Sequence, residues 1–286
     1  MNPEQTLRQT LQRSGGKPLN VSARGTGLNA LWMVALSGAP LVIKTYSRRR
    51  SPGRTALSHL AHVLSGRTGY TAGARWRTER ANLALWRQAG FDVPRVFPER
   101  PAAEIPLPHV CMEYVAGTLL SEYLADPDVP APEREAVFIR FAHEWAARHA
   151  RADRDSEIRL IQEHGTIEHV MLAGDRLVTF DLEVSYRDSR HVRYYIAEEL
   201  CAYVRSLFRT QSLPMADHLL GLLVRHYPER QYLASVCAQL LRGGSRWGRA
   251  ARAFDRRYLR HPGKMHKYRA AQAISDAMAR ASLGCG

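Results

Sequence analysis

The chain has 286 residues, of which 45% are hydrophobic and 24% are charged. This is the composition of a globular protein, and it excludes a collagenous, low-complexity or disordered chain. The formal net charge of +14 indicates a polyanionic partner such as nucleic acid, anionic lipid headgroups or a phosphorylated glycan, and charge alone does not choose among them.

The cysteine spacing and the apolar segments predict the cellular compartment of the protein. Cys111, Cys201, Cys237 and Cys285 lie far apart and form no C-x-x-C pair, which predicts reduced thiols rather than a zinc or redox motif. Residues 1–17 lack the apolar core of a signal peptide, and the most apolar run is far too short to span a bilayer. We therefore expect a cytoplasmic protein, with peripheral attachment to the inner face of the cytoplasmic membrane as an option.

The first part of the chain is predicted to be rich in strands. Apolar runs separated by segments containing Gly or Pro predict strands at 19–23, 31–36, 41–46, 93–97 and 109–115. Helical periodicity appears at 57–64 and 78–91, and Gly90 supplies a helix stop.

The second part is predicted to be mainly helical. From residue 132 onward helices dominate, interrupted by a hairpin at 169–183. The change falls near Ala116 and Gly117, which predicts an α+β protein with two unequal lobes, 1–115 and 116–286.

Several residues along this layout are marked by their place in a predicted turn, strand or helix. Gly25 and Gly27 lie in the first hairpin turn, where ordinary hairpins also carry glycines. Lys44 closes a strand, and Glu79 lies in the following helix, where a solvated surface charge is the alternative reading. Asp181 follows the later hairpin in T-F-D-L-E, where a simple turn residue is the alternative.

In order and approximate spacing, these landmarks resemble the protein-kinase signature set. The resemblance covers residues 20–208 and is nearest to the lipopolysaccharide kinase group of Gram-negative envelope enzymes, which carries a similar K-x-Y-x-R-R-R run and G-F-x-V-P motif. It implies a two-lobed protein-kinase-like fold, with a small antiparallel-sheet N-lobe containing one main helix and a larger, mostly helical C-lobe. It also implies ATP and Mg²⁺ or Mn²⁺ as cofactors.

The same resemblance implies a role for each landmark. It assigns nucleotide contacts to the glycine turn, the lysine–glutamate pair, the hinge and one histidine: Gly25, Gly27, Lys44, Glu79, Glu113, Val115 and His169. The hinge residues would offer backbone groups to the adenine ring. Asp181 and His169 would bind the metal ion.

The expected catalytic loop, H-R-D-x-x-x-x-N, is not preserved in the segment 162–169, Q-E-H-G-T-I-E-H. One alignment places His169 at the metal-binding asparagine and His164 at the catalytic aspartate. A second reads His164 as the start of an H-G-D variant and leaves Thr166 at the aspartate position. Neither retains the carboxylate, so His164 or Glu168 is the candidate for orienting an acceptor hydroxyl, together with Asp181 on the metal.

Two arginine-rich segments account for much of the positive charge. Their members are Arg48, Arg49, Arg50, Arg54, Arg67, Arg75 and Arg77, and then Arg242, Arg246, Arg249, Arg252, Arg256, Arg257 and Arg260. They predict docking to an anionic glycolipid or membrane surface, with a solvated charged face as the alternative. Nucleic acid is a less favoured partner, because no RNA-binding or zinc motif is present.

The function predicted first is an ATP-dependent phosphotransferase acting on a lipopolysaccharide-type glycolipid or sugar of the cell envelope. The alternative is a catalytically impaired pseudokinase that binds nucleotide, membrane or a protein partner as a regulator. The missing catalytic carboxylate is the feature that separates the two. The sequence makes no prediction of oligomeric state.

Overall fold

A computed structural model describes residues 17–18, 29–36, 39–46, 59–60, 62–63, 66–97, 108–242 and 265–283. The chain divides into two compact units. The first comprises Met1–Ala116 and Val178–Arg187, and the second comprises Gly117–Leu177 and Asp188–Gly286.

The first unit contains a four-stranded antiparallel sheet of order β1-β2-β3-β4. Its strands are β1 (Lys17–Pro18), β2 (Asn29–Leu36), β3 (Ala39–Tyr46) and β4 (His109–Glu113). Lys44 on β3 lies opposite Leu31 on β2 and Val110 on β4. The lysine is therefore held on a central strand, with a neighbouring strand on each side.

Each of two hydrophobic clusters in this unit draws on the sheet. One consists of Trp32, Val34, Leu41, Ile43 and Cys111, and the other of Tyr46, Ala72, Val110 and Met112. Helix α1 (Ala72–Gln88) contributes to the second cluster. Because side chains alternate along a strand, Lys44 shares the face of Tyr46 and points towards α1.

Helix α1 has a clear start and stop. The Thr71 hydroxyl accepts a hydrogen bond from the Ala74 N–H at 3.2 Å, which satisfies a free donor in the first turn. Gly90, just beyond the helix, has a φ of +86°, a conformation that glycine adopts without a steric penalty.

The second unit is mainly helical. Its helices are α2 (Leu120–Ala125), α3 (Ala131–Asp155), α4 (Val192–Thr210), α5 (Leu213–His226), α6 (Arg230–Val236), a π-helix (Cys237–Arg242) and α7 (Lys267–Leu283). Short 3₁₀ turns occur at Ile158–Leu160, Ile167–His169 and Ser189–His191. A small sheet of order β5-β6-β7 is formed by β5 (Thr118–Leu119), β6 (Val170–Ala173) and β7 (Arg176–Thr179), and the chain returns to the first unit within β7.

A buried ionic group joins α3 to α4 in the second unit. The Glu199 carboxylate lies 2.5 Å from Arg148 Nη2 and 2.9 Å from His149 Nε2. His149 Nδ1 lies 2.7 Å from the Tyr227 hydroxyl. Burial lowers the pKa of His149 below its ordinary value, because removal from water disfavours the imidazolium form.

The fold class predicted from the sequence is confirmed. A small antiparallel sheet with one main helix is followed by a larger, mostly helical part, as the kinase-like resemblance implied. The segments 31–36 and 41–46 lie in β2 and β3, and most of 78–91 lies in α1. The predicted strand 19–23 and the glycine turn lie outside the described residues.

The prediction of a strand at 93–97 is wrong. Of these residues only Val96 makes a bridge, to Met112, and the others form no regular strand. Pro94 lacks an N–H group and cannot donate to a strand ladder, which limits regular pairing here.

The predicted lobe boundaries differ from the observed units at Ala116, which belongs to the first unit, and at one longer segment. The sequence assigned 116–286 to one lobe, whereas Val178–Arg187 belongs to the first unit. Backbone hydrogen bonds join this segment to the first unit, from Thr68 N to Ser185 O at 2.7 Å and from Arg187 N to Gly66 O at 2.8 Å. Within the described residues, no helix combines the length and the apolar character that crossing a bilayer requires.

Candidate nucleotide and metal site

Lys44 is the centre of a buried charge cluster in the first unit. Its Nζ lies 2.7 Å from Glu79 Oε2, 2.5 Å from Asp181 Oδ1 and 3.5 Å from Glu183 Oε2. The structure therefore brings together the predicted lysine, helix glutamate and metal-motif aspartate, although Asp181 lies 137 residues from Lys44 in the chain.

Helix α1 supplies a stripe of buried polar side chains to this cluster. Arg75, Glu79 and Asn82 follow one another at helical spacing on its otherwise apolar buried face. Arg75 Nη1 donates to Glu183 Oε1 at 3.2 Å, and Asn82 Nδ2 donates to the Leu182 carbonyl at 2.8 Å. One helix thus holds the lysine and two positions of the D-L-E motif.

The segment that carries Asp181 and Glu183 is anchored by alternate residues. Leu182, Val184 and Tyr186 are buried, while Asp181 and Glu183 are partly exposed. Asp181 has a φ of +65°, a conformation that non-glycine residues rarely adopt and that the surrounding contacts must maintain. Backbone strain of this kind concentrates at functional sites.

The protonation of the cluster follows from burial and from charge. Burial alone would lower the pKa of Lys44, but Asp181, Glu79 and Glu183 outweigh it and raise that pKa, so the side chain is an ammonium ion. Burial raises the pKa of Glu79, and Lys44 partly opposes this effect. Burial and Glu79 also raise the pKa of Tyr46, whose hydroxyl donates to the Glu79 carboxylate.

The cluster has the donor atoms that a hard divalent cation requires. One carboxylate oxygen each from Glu79, Asp181 and Glu183 lies within 4.8 Å of the others. Carboxylate oxygens are the ligands that Mg²⁺ prefers. Lys44 and Arg75 oppose three carboxylates, so the ionised group has an excess of one negative charge that a cation can neutralise.

Sequence reasoning missed several members of this site. Arg75 is 1% exposed, and its guanidinium lies 5.7 Å from the Tyr46 ring and 5.4 Å from the Tyr70 ring. Asn29 accepts from Arg75 Nη1 at 2.6 Å and donates to Glu183 Oε2 at 2.5 Å. The detectable signal was the i, i+4, i+7 spacing of charged and amide residues within an apolar helix stripe, with Arg75 at its start.

The hinge residues lie at the end of the first unit. The Glu113 N–H donates to the Arg95 carbonyl at 2.8 Å, and the Glu113 carboxylate accepts from the Arg95 N–H at 3.1 Å. Val115 lies in the irregular stretch between β4 and β5 and is half-buried. Gly25 and Gly27 lie outside the described residues.

The segment predicted as the catalytic loop belongs to the second unit, where α4 holds it. The Tyr203 hydroxyl donates to Gln162 Oε1 at 2.7 Å, and the Ile167 N–H donates to the Ser206 hydroxyl at 3.1 Å. At Gly165 a Cβ atom would lie 2.6 Å from a ring carbon of Tyr203, so only glycine allows this close approach.

The three predicted polar residues of this loop have different surroundings. His164 is exposed and its Nδ1 lies 2.7 Å from Glu163 Oε2. Glu168 forms an ion pair with Arg209, which also donates to the Thr166 hydroxyl at 3.0 Å. His169 ends the 3₁₀ turn before β6 and is half-buried.

Three solved structures are similar to the chain. A proposed aminoglycoside phosphotransferase from Ralstonia eutropha JMP134 has 12% identity and a TM-score of 0.44, covering 98% of this chain and 96% of that chain. The apo structure of a pseudokinase has 15% identity and a TM-score of 0.40, covering 89% of each chain. A thermostable mutant of the aminoglycoside phosphotransferase APH(4)-Ia, in a ternary complex with ADP and hygromycin B, has 13% identity and a TM-score of 0.38, covering 98% and 99%. No known protein-family model matches the chain, and no curated protein sequence matches it.

Proposed function

We propose that the protein binds ATP with a divalent cation and transfers the terminal phosphoryl group to an acceptor hydroxyl. The observation that carries this proposal is the buried Lys44 ammonium, held by Glu79 and in contact with Asp181. Phosphoryl transfer depends mainly on positioning and charge neutralisation, and this cluster has the charges for both.

In this proposal each member of the cluster has a separate task. Lys44 binds the phosphate oxygens, and Glu79 keeps the lysine in place through their 2.7 Å contact. Asp181 and Glu183 hold Mg²⁺ or Mn²⁺, with His169 as a further candidate ligand. When bound, the cation would neutralise charge on the phosphates. Gly25, Gly27, Glu113 and Val115 are the candidates for the remaining nucleotide contacts.

A lipopolysaccharide-type glycolipid or sugar of the cell envelope is the proposed acceptor. The formal net charge of +14 favours an anionic acceptor or an anionic membrane surface around it. His164 or Glu168 is the candidate for orienting the acceptor hydroxyl. The resemblance to lipopolysaccharide kinases supports this acceptor class.

A pseudokinase that binds partners and transfers nothing is the second candidate. The observation that favours it is the absent catalytic aspartate in 162–169. In this case the charge cluster of the first unit binds nucleotide and a cation, and no carboxylate of that segment orients an acceptor hydroxyl.

Thermal unfolding with nucleotide tests the shared premise of both candidates. At a ligand concentration about 100 times Kd, ATP with Mg²⁺ or Mn²⁺ should stabilise the fold by about 2.7 kcal/mol, which corresponds to a rise in Tm of several degrees. Asp181→Ala should abolish this rise because it removes a cation ligand. The matched control is Asp175→Ala, in the exposed hairpin turn, which should retain the full rise.

Thermal unfolding and an assay of labelled phosphate transfer together separate three cases. No rise in Tm with either metal ion would contradict nucleotide binding. A rise without transfer of labelled phosphate to purified lipopolysaccharide or to water would favour the pseudokinase. Transfer to lipopolysaccharide that Asp181→Ala removes would support the phosphotransferase and its acceptor class.

A further inference from the structure

Two donors from strand β3, Lys44 and Tyr46, contact the same carboxylate of the first unit, that of Glu79. The Lys44 ammonium donates to Glu79 Oε1 at 3.0 Å and lies 2.7 Å from Oε2, and the Tyr46 hydroxyl donates to Oε2. Because the two donors are two residues apart on one strand, they share a face of the sheet. All three residues are buried, with exposed fractions of 5% or less.

The ring of Tyr46 is held in place independently of its hydroxyl. It belongs to the second hydrophobic cluster of the first unit, and the Tyr46 N–H donates to the Pro108 carbonyl at 2.9 Å. Lys44 Nζ and the Arg75 guanidinium lie 5.5 Å and 5.7 Å from the centre of the ring. Since packing fixes the ring, the hydroxyl donor is in position before any ligand binds.

A second donor to Glu79 matters because Lys44 divides its charge among several acceptors. Lys44 Nζ also lies 2.5 Å from Asp181 Oδ1 and 3.5 Å from Glu183 Oε2. Phosphate oxygens that bind the ammonium would compete with these carboxylates for its three protons. Burial and the charge of Glu79 raise the pKa of Tyr46, so its hydroxyl stays protonated and holds Glu79 without adding a charge that would attract phosphate.

The neighbouring cation on α1, Arg75, contacts a different carboxylate. Its Nη1 donates to Asn29 Oδ1 at 2.6 Å and to Glu183 Oε1 at 3.2 Å. Glu183 therefore has a contact with Arg75, and Glu79 has one with Tyr46. Loss of the Tyr46 hydroxyl should act on the Lys44–Glu79 pair and leave the contact between Arg75 and Glu183 in place.

We propose that Tyr46 is a positioning residue of the candidate nucleotide site. Its hydroxyl fixes the Glu79 carboxylate, and Glu79 in turn aims the Lys44 ammonium at the phosphates. Tyr46 acts through Glu79 and does not touch the nucleotide. This inference rests on the proposed nucleotide binding, and it applies equally to a phosphotransferase and to a pseudokinase that binds ATP.

The variant Tyr46→Phe tests this role because it removes the hydroxyl and keeps the ring. Calorimetric titration of the full chain with ATP and Mg²⁺ measures Kd at a temperature where each variant is folded. We expect Kd to rise by about tenfold, the scale of one hydrogen bond to a charged group. A purely structural role of the hydroxyl would lower Tm and leave Kd unchanged.

A spectroscopic measurement on the protein without nucleotide reports the contact itself. In a sample labelled with ¹³C at the glutamate carboxyl carbon, the resonance of Glu79 is assigned by its loss in Glu79→Gln. This resonance should shift in Tyr46→Phe, because the carboxylate has lost a hydrogen-bond donor.

The matched control is Tyr227→Phe, in the second unit. The Tyr227 side chain is also buried, and its hydroxyl lies 2.7 Å from His149 Nδ1. This variant loses the same group from a buried tyrosine, so it controls for general destabilisation. Its Kd for ATP should stay within about twofold of the wild-type value, and the Glu79 resonance should not move.

Three outcomes would overturn the inference. They are a Kd for Tyr46→Phe within about twofold of the wild-type value, an equal rise in Kd for Tyr227→Phe, and a Glu79 resonance that is unchanged in Tyr46→Phe. Absence of ATP binding by the wild type is a separate result. It would contradict the nucleotide-binding function itself.

Discussion

Arg75 is buried in the first unit near two tyrosine rings. Its guanidinium donates hydrogen bonds to Asn29 and Glu183. Arginine suits this position because its planar group can stack on rings while its N–H groups donate in the plane. Glu183 in turn is held between Arg75 and Asn29, two residues after the positive-φ Asp181. The arginine therefore supports the conformation of the segment that carries Asp181 and Glu183.

Substitution of Arg75 should lower the free energy of unfolding, and substitution of its partner Glu183 should recover part of that loss. Arg75→Met leaves Glu183 without this cation and should lower the free energy of unfolding by about 3–5 kcal/mol. Adding Glu183→Gln should make the double variant at least about 1 kcal/mol more stable than the sum of the single losses predicts. Urea unfolding measures the free energy of unfolding of the wild type, the two single variants and the double variant.

The control for this double-mutant comparison lies on the same helix, α1. Arg87→Met changes an exposed arginine of α1 and should alter the free energy of unfolding by no more than about 0.5 kcal/mol. Strictly additive losses for Arg75 and Glu183 would show that their contact does not stabilise the segment.

At the residue scale, the sequence predicted the members of the site whose spacing follows a known pattern. Lys44, Glu79 and Asp181 could be named because their order and spacing resemble the protein-kinase signature set. Arg75 was assigned instead to the first arginine-rich segment, as a surface residue, since composition does not distinguish a buried arginine from an exposed one. Its burial depends on Glu183, which lies 108 residues away in the chain.

At the scale of elements, α3 and α4 share the buried group of Arg148, His149 and Glu199. Arg148 also donates to the Leu160 carbonyl, at the 3₁₀ turn shortly before the Gln162–His169 loop. The group therefore links both helices to the chain that leads into that loop. The charge pattern of the sequence does not predict this group, because its members come from two separate helices.

The pH dependence of the free energy of unfolding should show that buried His149 is neutral in the folded protein. Its pKa in the folded protein is lowered from 6.5 by burial, so the unfolded chain binds the proton more readily. The contribution of His149 is therefore present above about pH 6.5 and is lost as pH falls below that value, with a slope of up to about 1.4 kcal/mol per pH unit. His149→Gln should lack this part of the slope below about pH 6.5.

The difference between two unfolding curves isolates this effect from other titrating groups. Thermal or urea unfolding of wild type and His149→Gln is compared at each pH, so that the titrating groups common to both proteins cancel. A parallel pH dependence for wild type and His149→Gln would contradict the assignment of a neutral buried imidazole.

At the scale of the whole molecule, the net charge of +14 is the property that fold alone does not explain. Most of the two arginine-rich segments lie outside the described residues, so the sequence remains the basis for their role. Composition predicted this charge, and the order of strand and helix patterns predicted the fold class. The return of Val178–Arg187 to the first unit, by contrast, depends on contacts between distant segments.

Binding to anionic vesicles should be reversible and sensitive to salt. We expect co-sedimentation at about 0.15 M salt, where the Debye length is about 8 Å, and release at about 1 M, where it is about 3 Å. Substituting Arg249, Arg252, Arg256 and Arg257 with glutamine should weaken binding and leave the ATP-induced rise in Tm unchanged.

The matched control removes the same charge from arginines already paired with carboxylates. These are Arg151, Arg154, Arg159 and Arg190, and their substitution with glutamine should weaken vesicle binding less. Equal binding to neutral and anionic vesicles, or to neither, would contradict a membrane role. Retention in the pellet at high salt would indicate an inserted apolar segment instead.

The discontinuous first unit also sets an order of events on the ribosome. Lys44 is synthesised 137 residues before Asp181, an interval of about 7 to 27 s at typical translation rates. Throughout that time the nascent sheet carries a lysine with an incomplete set of counter-charges. The candidate nucleotide site therefore reaches its final form only after roughly two thirds of the polypeptide has been made.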